Sequence, residues 1–140
     1  MQTATAASQF PVDRAAEAKA LFERYGTVFQ EVPKLLWRAS DGRVVGAFAW
    51  TGYTGDTVQM HYVGAHRHWM TREFLRRAFT YPFDQLGVKV ILGFLPPERV
   101  HAVDVAIKLG FKKLCVVPGV DLHMIAMTRA DCRWIEVRNG

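Results

Sequence analysis

The segment Gly64–Arg77, GAHRHWMTREFLRR, gathers residue types that grip anions. Thr71 suits the N-cap of a following helix, which leaves the first-turn amides near Arg72 and Glu73 without intrahelical acceptors. Such amides bind phosphate whatever side chains they carry. Arg67, Arg72 and Arg76 add guanidinium groups, whose planar fork matches phosphate oxygens. Arg76 and Arg77 also read simply as the solvated face of an amphipathic helix. Arg67 and Arg72 stand beside the loop and fit either role. Trp69 reads as a core anchor or as a platform for a ligand.

His61 lies just upstream, in DTVQMHYVG. Its ordinary pKa lets it exchange a proton near neutrality. The other reading is a hydrogen-bonded structural histidine. His123 reads as structural, and Glu31 and Asp56 as solvated loop charges. His66 and His68 alternate on an extended segment, and His61 could be a third ligand to a metal. No cysteine or carboxylate stands at a matching spacing, so no metal is expected.

These residues need elements to position them. PVDRAAEAKALFERYG reads as a helix with Leu21 and Phe22 inward and Gly26 after its end. LLWRASDGRVVGAFAWTGY reads as a hairpin turning at Asp41-Gly42. In DTVQMHYVG, Val58, Met60 and Tyr62 alternate with Thr57, Gln59 and His61, the mark of a half-buried strand. A helix from Thr71 to Phe83 puts Phe74, Leu75, Ala78 and Phe79 on one face. VKVILGFL is a buried strand, and PERVHAVDVAIKLG a helix stopped by Gly110. FKKLCVV and LHMIAMT close the chain as a hairpin about Pro118-Gly119. The order α, ββ, β, α, β, α, ββ predicts an α/β fold, a mixed sheet with flanking helices.

Composition sets the frame. With 140 residues the chain suits a single domain over residues 11–140, after a small polar tail at 1–10. Lys and Arg number 18 against 13 Asp and Glu, giving a net charge of +5. Twelve of the 18 are Arg. This excess favours anionic partners, and it permits nucleic acid without any motif for it. VVGAFAWTGYTG is too short and Gly-rich to span a membrane. Cys115 and Cys132, with no secretory signal, read as reduced thiols in a cytoplasmic protein.

The order of elements, EFLRRAFTYPFDQLGVKVI, PPERVHAVDVAIKLGF and the Leu-Gly-Phe at its end together resemble the Gcn5-related N-acetyltransferase (GNAT) family over roughly residues 11–130. The ending MTRADCRWI and the run HWMTREFLRRAFTYPFDQLG look most like small GNAT-like proteins encoded by tailed bacteriophages. The resemblance implies a V-shaped splay between two central parallel strands. It implies acetyl-CoA as co-substrate, an amine as acceptor, and an acyl-CoA-dependent N-acyltransferase in a host cytoplasm.

On this resemblance the cofactor would be held by Val63, Gly64, Ala65, Arg67, His68, Trp69, Met70, Thr71 and Arg72, with Arg99 at the start of the next helix. His61 would be the base that takes the proton of the attacking ammonium. Four positions depart from the family pattern. Arg67 and Trp69 stand where the loop has glycines, Arg99 where an Asn is frequent, and Ala106 where many members carry a general-acid Tyr. These departures open a second reading, a GNAT-fold protein of reduced chemistry that serves as a structural part of a virion or complex. RADCRWIEVRNG places Trp134 and Ile135 beyond the family core. That segment either folds back or docks on another chain. With the polar N-terminal tail, it leads us to expect a partner or second copy at one terminus.

Overall fold

The computed structural model describes residues 13–65 and 68–135. The elements are α1 (Ala15–Arg24), β1 (Lys34–Ser40), β2 (Arg43–Thr51), β3 (Thr57–Gly64), α2 (Arg72–Thr80), β4 (Val90–Leu95), α3 (Val100–Leu109), β5 (Lys112–Val117) and β6 (Leu122–Thr128). The strands form one six-stranded sheet in the order β1-β2-β3-β4-β6-β5. Only β3 and β4 run parallel, as their helical crossover requires; the other neighbours are antiparallel. The mixed α/β architecture is the one the sequence predicts.

Alternation along the strands sorts side chains between two faces. On one face Val58, Met60, Phe48, Trp50, Ile91, Ile125 and Met127 meet Phe74, Leu75, Ala78 and Phe79 of α2 and Ala106 and Leu109 of α3. On the other, Val44, Ala47, Ala49 and Val63 meet Ala18, Leu21 and Phe22 of α1. The β1–β2 turn is Asp41-Gly42, with φ of 54° and 75°. Both central residues are left-handed, which the tight hairpin demands.

Helix α2 stops short of the expected Phe83. Pro82 has no N–H to continue the ladder, and the chain widens into a π-helical turn, Tyr81–Gln85, closed by Leu86 N–H on the Tyr81 carbonyl at 2.9 Å. Helix α3 begins at Val100, after Pro96 and Pro97 have spent themselves in a turn. Trp134 folds back on its own domain: its indole N–H donates to the Leu109 carbonyl at 2.8 Å, and Ile135 is buried. The N-terminal tail lies outside the described residues. No described helix is long and apolar enough to cross a membrane.

Candidate active site

The site begins where the sheet opens. β3 and β4 pair at Thr57–Val90, Val58–Ile91 and Gln59–Leu92, and then part. Beyond that point β3 stays on β2 as far as Gly64, while β4 stays on β6 as far as Leu95. The strands are therefore pulled apart by their outer neighbours. Between them lies a cleft of about 400 Å³, lined by Met60, His61 and Tyr62 on one side and Phe94 and Leu95 on the other, and closed at its ends by Tyr25 and Arg99. The edge of β3 from Met60 onward keeps backbone groups that no strand pairs with on the β4 side.

His61 and Tyr62 follow one another on β3 and so point to opposite faces of the sheet. His61 looks to the α1 side. Its Nε2 is 2.9 Å from Thr51 Oγ1, and its ring meets Phe29 edge-on at 5.3 Å. Burial holds its pKa below the ordinary 6.5, opposed by the negative charge of Glu31. The imidazole is thus neutral at neutral pH. When Nε2–H donates to Thr51, Nδ1 is left as an acceptor. Glu31 also accepts from Gly52 N–H at 3.2 Å, which ties its loop to the end of β2.

Tyr62 looks to the side of α2 and α3. Its hydroxyl donates to the Ala102 carbonyl at 2.9 Å. Burial pushes its pKa up to about 12, with the Arg99 charge pulling the other way. Arg99, at the N-cap position of α3, donates to the Tyr25 carbonyl. Tyr25, Tyr62 and Arg99 also line a second hollow of about 320 Å³, shared with Gly64, Trp69 and Met70. They form the divide between the cleft and the approach to α2.

The loop before α2 is held from beneath. Gly46 and Gly64 are cross-strand partners on β2 and β3. A Cβ built on Gly46 would fall 2.2 Å from the Trp69 ring, and one on Gly64 would fall 1.8 Å from its Nε1. The indole lies flat on this glycine pair and is 8% exposed. Arg38 of β1 donates to the carbonyls of His68 at 3.0 Å and Trp69 at 3.3 Å. Ala65 N–H reaches the Val45 carbonyl at 2.9 Å. The glycines missing from the loop thus have counterparts in the strands below it.

Thr71 caps α2, its hydroxyl accepting from Phe74 N–H at 3.2 Å. The amides of Arg72 and Glu73 have no acceptor among the described residues. This is the arrangement that seats an anion at a helix start. The Arg72 guanidinium stands 6.0 Å from the centre of the Trp134 ring. Arg76 is bound to Glu73 at 2.6 Å.

The fold brings His61, Tyr62 and Arg99 to the cleft, and Tyr62 and Arg99 also to the hollow beside Trp69 and Met70. Val63 points away, into the α1 core, and Met70 is half-buried against the main core. Arg67 and His66 lie outside the described residues, and so does the three-histidine grouping with His68. Among the described residues no three His, Cys, Asp or Glu side chains cluster. His123, opposite Leu95, has a buried Nδ1 with no partner among the described residues. The sequence reading missed Thr51 and Tyr62 and took Glu31 for a solvated loop charge. Only Tyr62 carried a signal, as a phenol next to His61 on a strand already assigned to the cleft.

The architecture is the GNAT fold. The chain superposes on Campylobacter jejuni N-acetyltransferase PseH with a TM-score of 0.58 at 11% identity, covering 69% of this chain and 68% of that one. PseH has also been solved in complex with acetyl coenzyme A. The F149A mutant of spermidine N-acetyltransferase SpeG from Vibrio cholerae gives 0.56 at 14% identity, over 79% and 73%. Aminoglycoside 6'-acetyltransferase type Ii gives 0.59 at 18% identity, over 85% and 95%. No family model matches the sequence, and no curated protein matches it.

Proposed function

We propose that the chain is an acyl-CoA-dependent N-acyltransferase acting on an amine, with acetyl-CoA as the natural donor. The observation that carries this reading is a neutral His61 on the wall of the cleft where β3 and β4 part. Acyl-CoA would supply an activated acyl group and a thiolate able to leave. The unpaired edge of β3 fits an amide-bearing arm, and the free amides of Arg72 and Glu73 fit a pyrophosphate. Arg72 adds charge there, and Arg67 belongs to the same proposal. Gly64 and Trp69 keep that loop in place, with Ala65 and His68 as its backbone anchors. Arg99 would reach a phosphate by leaving the Tyr25 carbonyl.

The amine arrives as an ammonium ion, and Glu31 and Glu98 at the cleft give it a negative entrance. His61 Nδ1 takes one proton from the ammonium, which frees the lone pair that attacks the carbonyl; the nitrogen gives its second proton to water as the amide forms, and the electron pair of the broken carbon–sulfur bond leaves on sulfur. Thr51 holds the imidazole ring in place, its hydroxyl accepting from Nε2–H in the tautomer that leaves Nδ1 free. Tyr62, with a pKa of about 12, stays protonated. An alkyl thiol titrates near ~8.5, so Tyr62 is no acid for the thiolate; its hydroxyl would steady the sulfur only by leaving the Ala102 carbonyl, and water supplies the thiolate's proton.

Calorimetry with acetyl-CoA tests the reading. Wild type should bind saturably, and Arg72→Ala should weaken binding by about 1–3 kcal/mol, the range for a charge-assisted hydrogen bond. No heat from the wild type would overturn it. A second reading is a GNAT-fold assembly component of a phage particle with reduced chemistry. It is favoured by Trp69 filling the loop and by the tie between Arg99 and Tyr25. The same titration separates the two. The resemblance to phage-encoded proteins points to a host cytoplasm on the first reading and to the particle on the second.

A further inference from the structure

A pocket of about 540 Å³ lies between the outer edge of β1 and the outer side of α2 with its π-helical turn. It shares no lining residue with the cleft. We propose that it binds a small organic anion, a flat apolar body carrying a carboxylate or a phosphate.

Three observations converge on that chemistry. Lys34, Arg76 and Arg77 line the pocket and no carboxylate does. Arg76 is already held by Glu73, so the charge on offer comes from Lys34 and Arg77. The walls are aromatic: Lys34 Nζ stands 5.7 Å from the centre of the Tyr81 ring, and Tyr81 packs on Trp50 with ring centres 4.8 Å apart. Trp50 is 4% exposed, lines the pocket, and its indole N–H has no acceptor among the described residues. A buried donor of this kind is uncommon, because burial strips away water without replacing it.

The edge of β1 adds to the inventory. Among the described residues β1 pairs only with β2, so its outer amides are also donors. Cations and edge amides ask for acceptor oxygens. Tyr81 and Leu36 ask for an apolar surface to cover. A neutral ligand leaves the cations unmatched, and inorganic phosphate leaves the rings bare. The volume falls within the range of about 300–1,000 Å³ usual for small-molecule sites.

Nuclear magnetic resonance reads the site directly through the Trp50 indole N–H signal, identified by its loss in Trp50→Phe. Benzoate and phenyl phosphate are titrated separately, with phenol and inorganic phosphate as controls. At least one aromatic anion should move the Trp50 signal saturably, and the tighter of the two identifies the acidic group. The surface variant Lys34→Gln/Arg77→Gln, which leaves the core intact, should weaken that binding at least tenfold. Three results would overturn the proposal: no saturable shift with either anion, phenol binding as tightly as the anions, or unchanged affinity in the double variant.

Discussion

His61 concentrates the chemistry of the cleft in one ring. Its pKa is lowered on folding by burial, so the folded chain holds its proton less tightly than the unfolded chain does. Between the lowered folded value and 6.5, the unfolded state binds more protons. Stability from this group is therefore complete above about 6.5 and declines as pH falls through that window. Urea midpoints measured from pH 8 to pH 5 should fall less steeply in His61→Gln than in wild type. Equal slopes would show that His61 is not desolvated. The same variant should lose about 10²-fold or more in thiol release from acetyl-CoA with an amine such as spermidine, the usual scale for losing a positioned base. In the proposed mechanism neutral His61 is the working form, so that activity should rise with pH through a midpoint below 6.5.

At the scale of elements, the loop before α2 shows what could and could not be read from the chain. The parallel pair and the helix cap at Thr71 were legible, since periodicity, a crossover and a capping residue are local signals; the opening of the pair came from the family resemblance. The seat of Trp69 was not. It depends on a register that sets Gly46 opposite Gly64, eighteen positions apart in sequence, and no local pattern carries that pairing. Glu31 and Thr51 escaped for the same reason: each meets His61 only through folding. The early end of α2 was readable in hindsight from Pro82. The seat has a measurable strength. Trp69→Ala would leave a ring-sized void, costing about 3–5 kcal/mol. Gly64→Ala would drive a methyl group into the indole, and overpacking of this kind costs about 1–3 kcal/mol. Thermal or urea unfolding would check both. A neutral Gly64→Ala would mean that the indole does not rest there.

For the whole molecule, the C-terminal segment is part of the domain as far as Ile135. Trp134 bonds to the end of α3, and Arg133 stacks on its ring at 4.5 Å. That removes an exposed tryptophan as a reason for an interface at this end. A truncation after Asp131 would strip Cys132, Trp134 and Ile135 from the main core, and should lower the unfolding midpoint by several degrees for each kcal/mol lost. Light scattering on the full chain and on the truncated one would show whether mass depends on the segment. An unchanged midpoint would place Trp134 outside the core.

Strand β5 carries a consequence for time. Lys112 to Val116 are all exposed, so the strand is held by its ladder to β6 with little side-chain burial behind it. β3, on the far lip of the cleft, is backed by β2 and by both cores. Local opening should therefore start at β5 and spread to β6, while β3 opens only with the whole domain. Deuterium uptake should run in that order, fastest across 112–117, slower across 122–128 and slowest across 57–63. The cleft would then have one fixed lip and one yielding lip, and a ligand that bridges them should slow exchange on the yielding side alone.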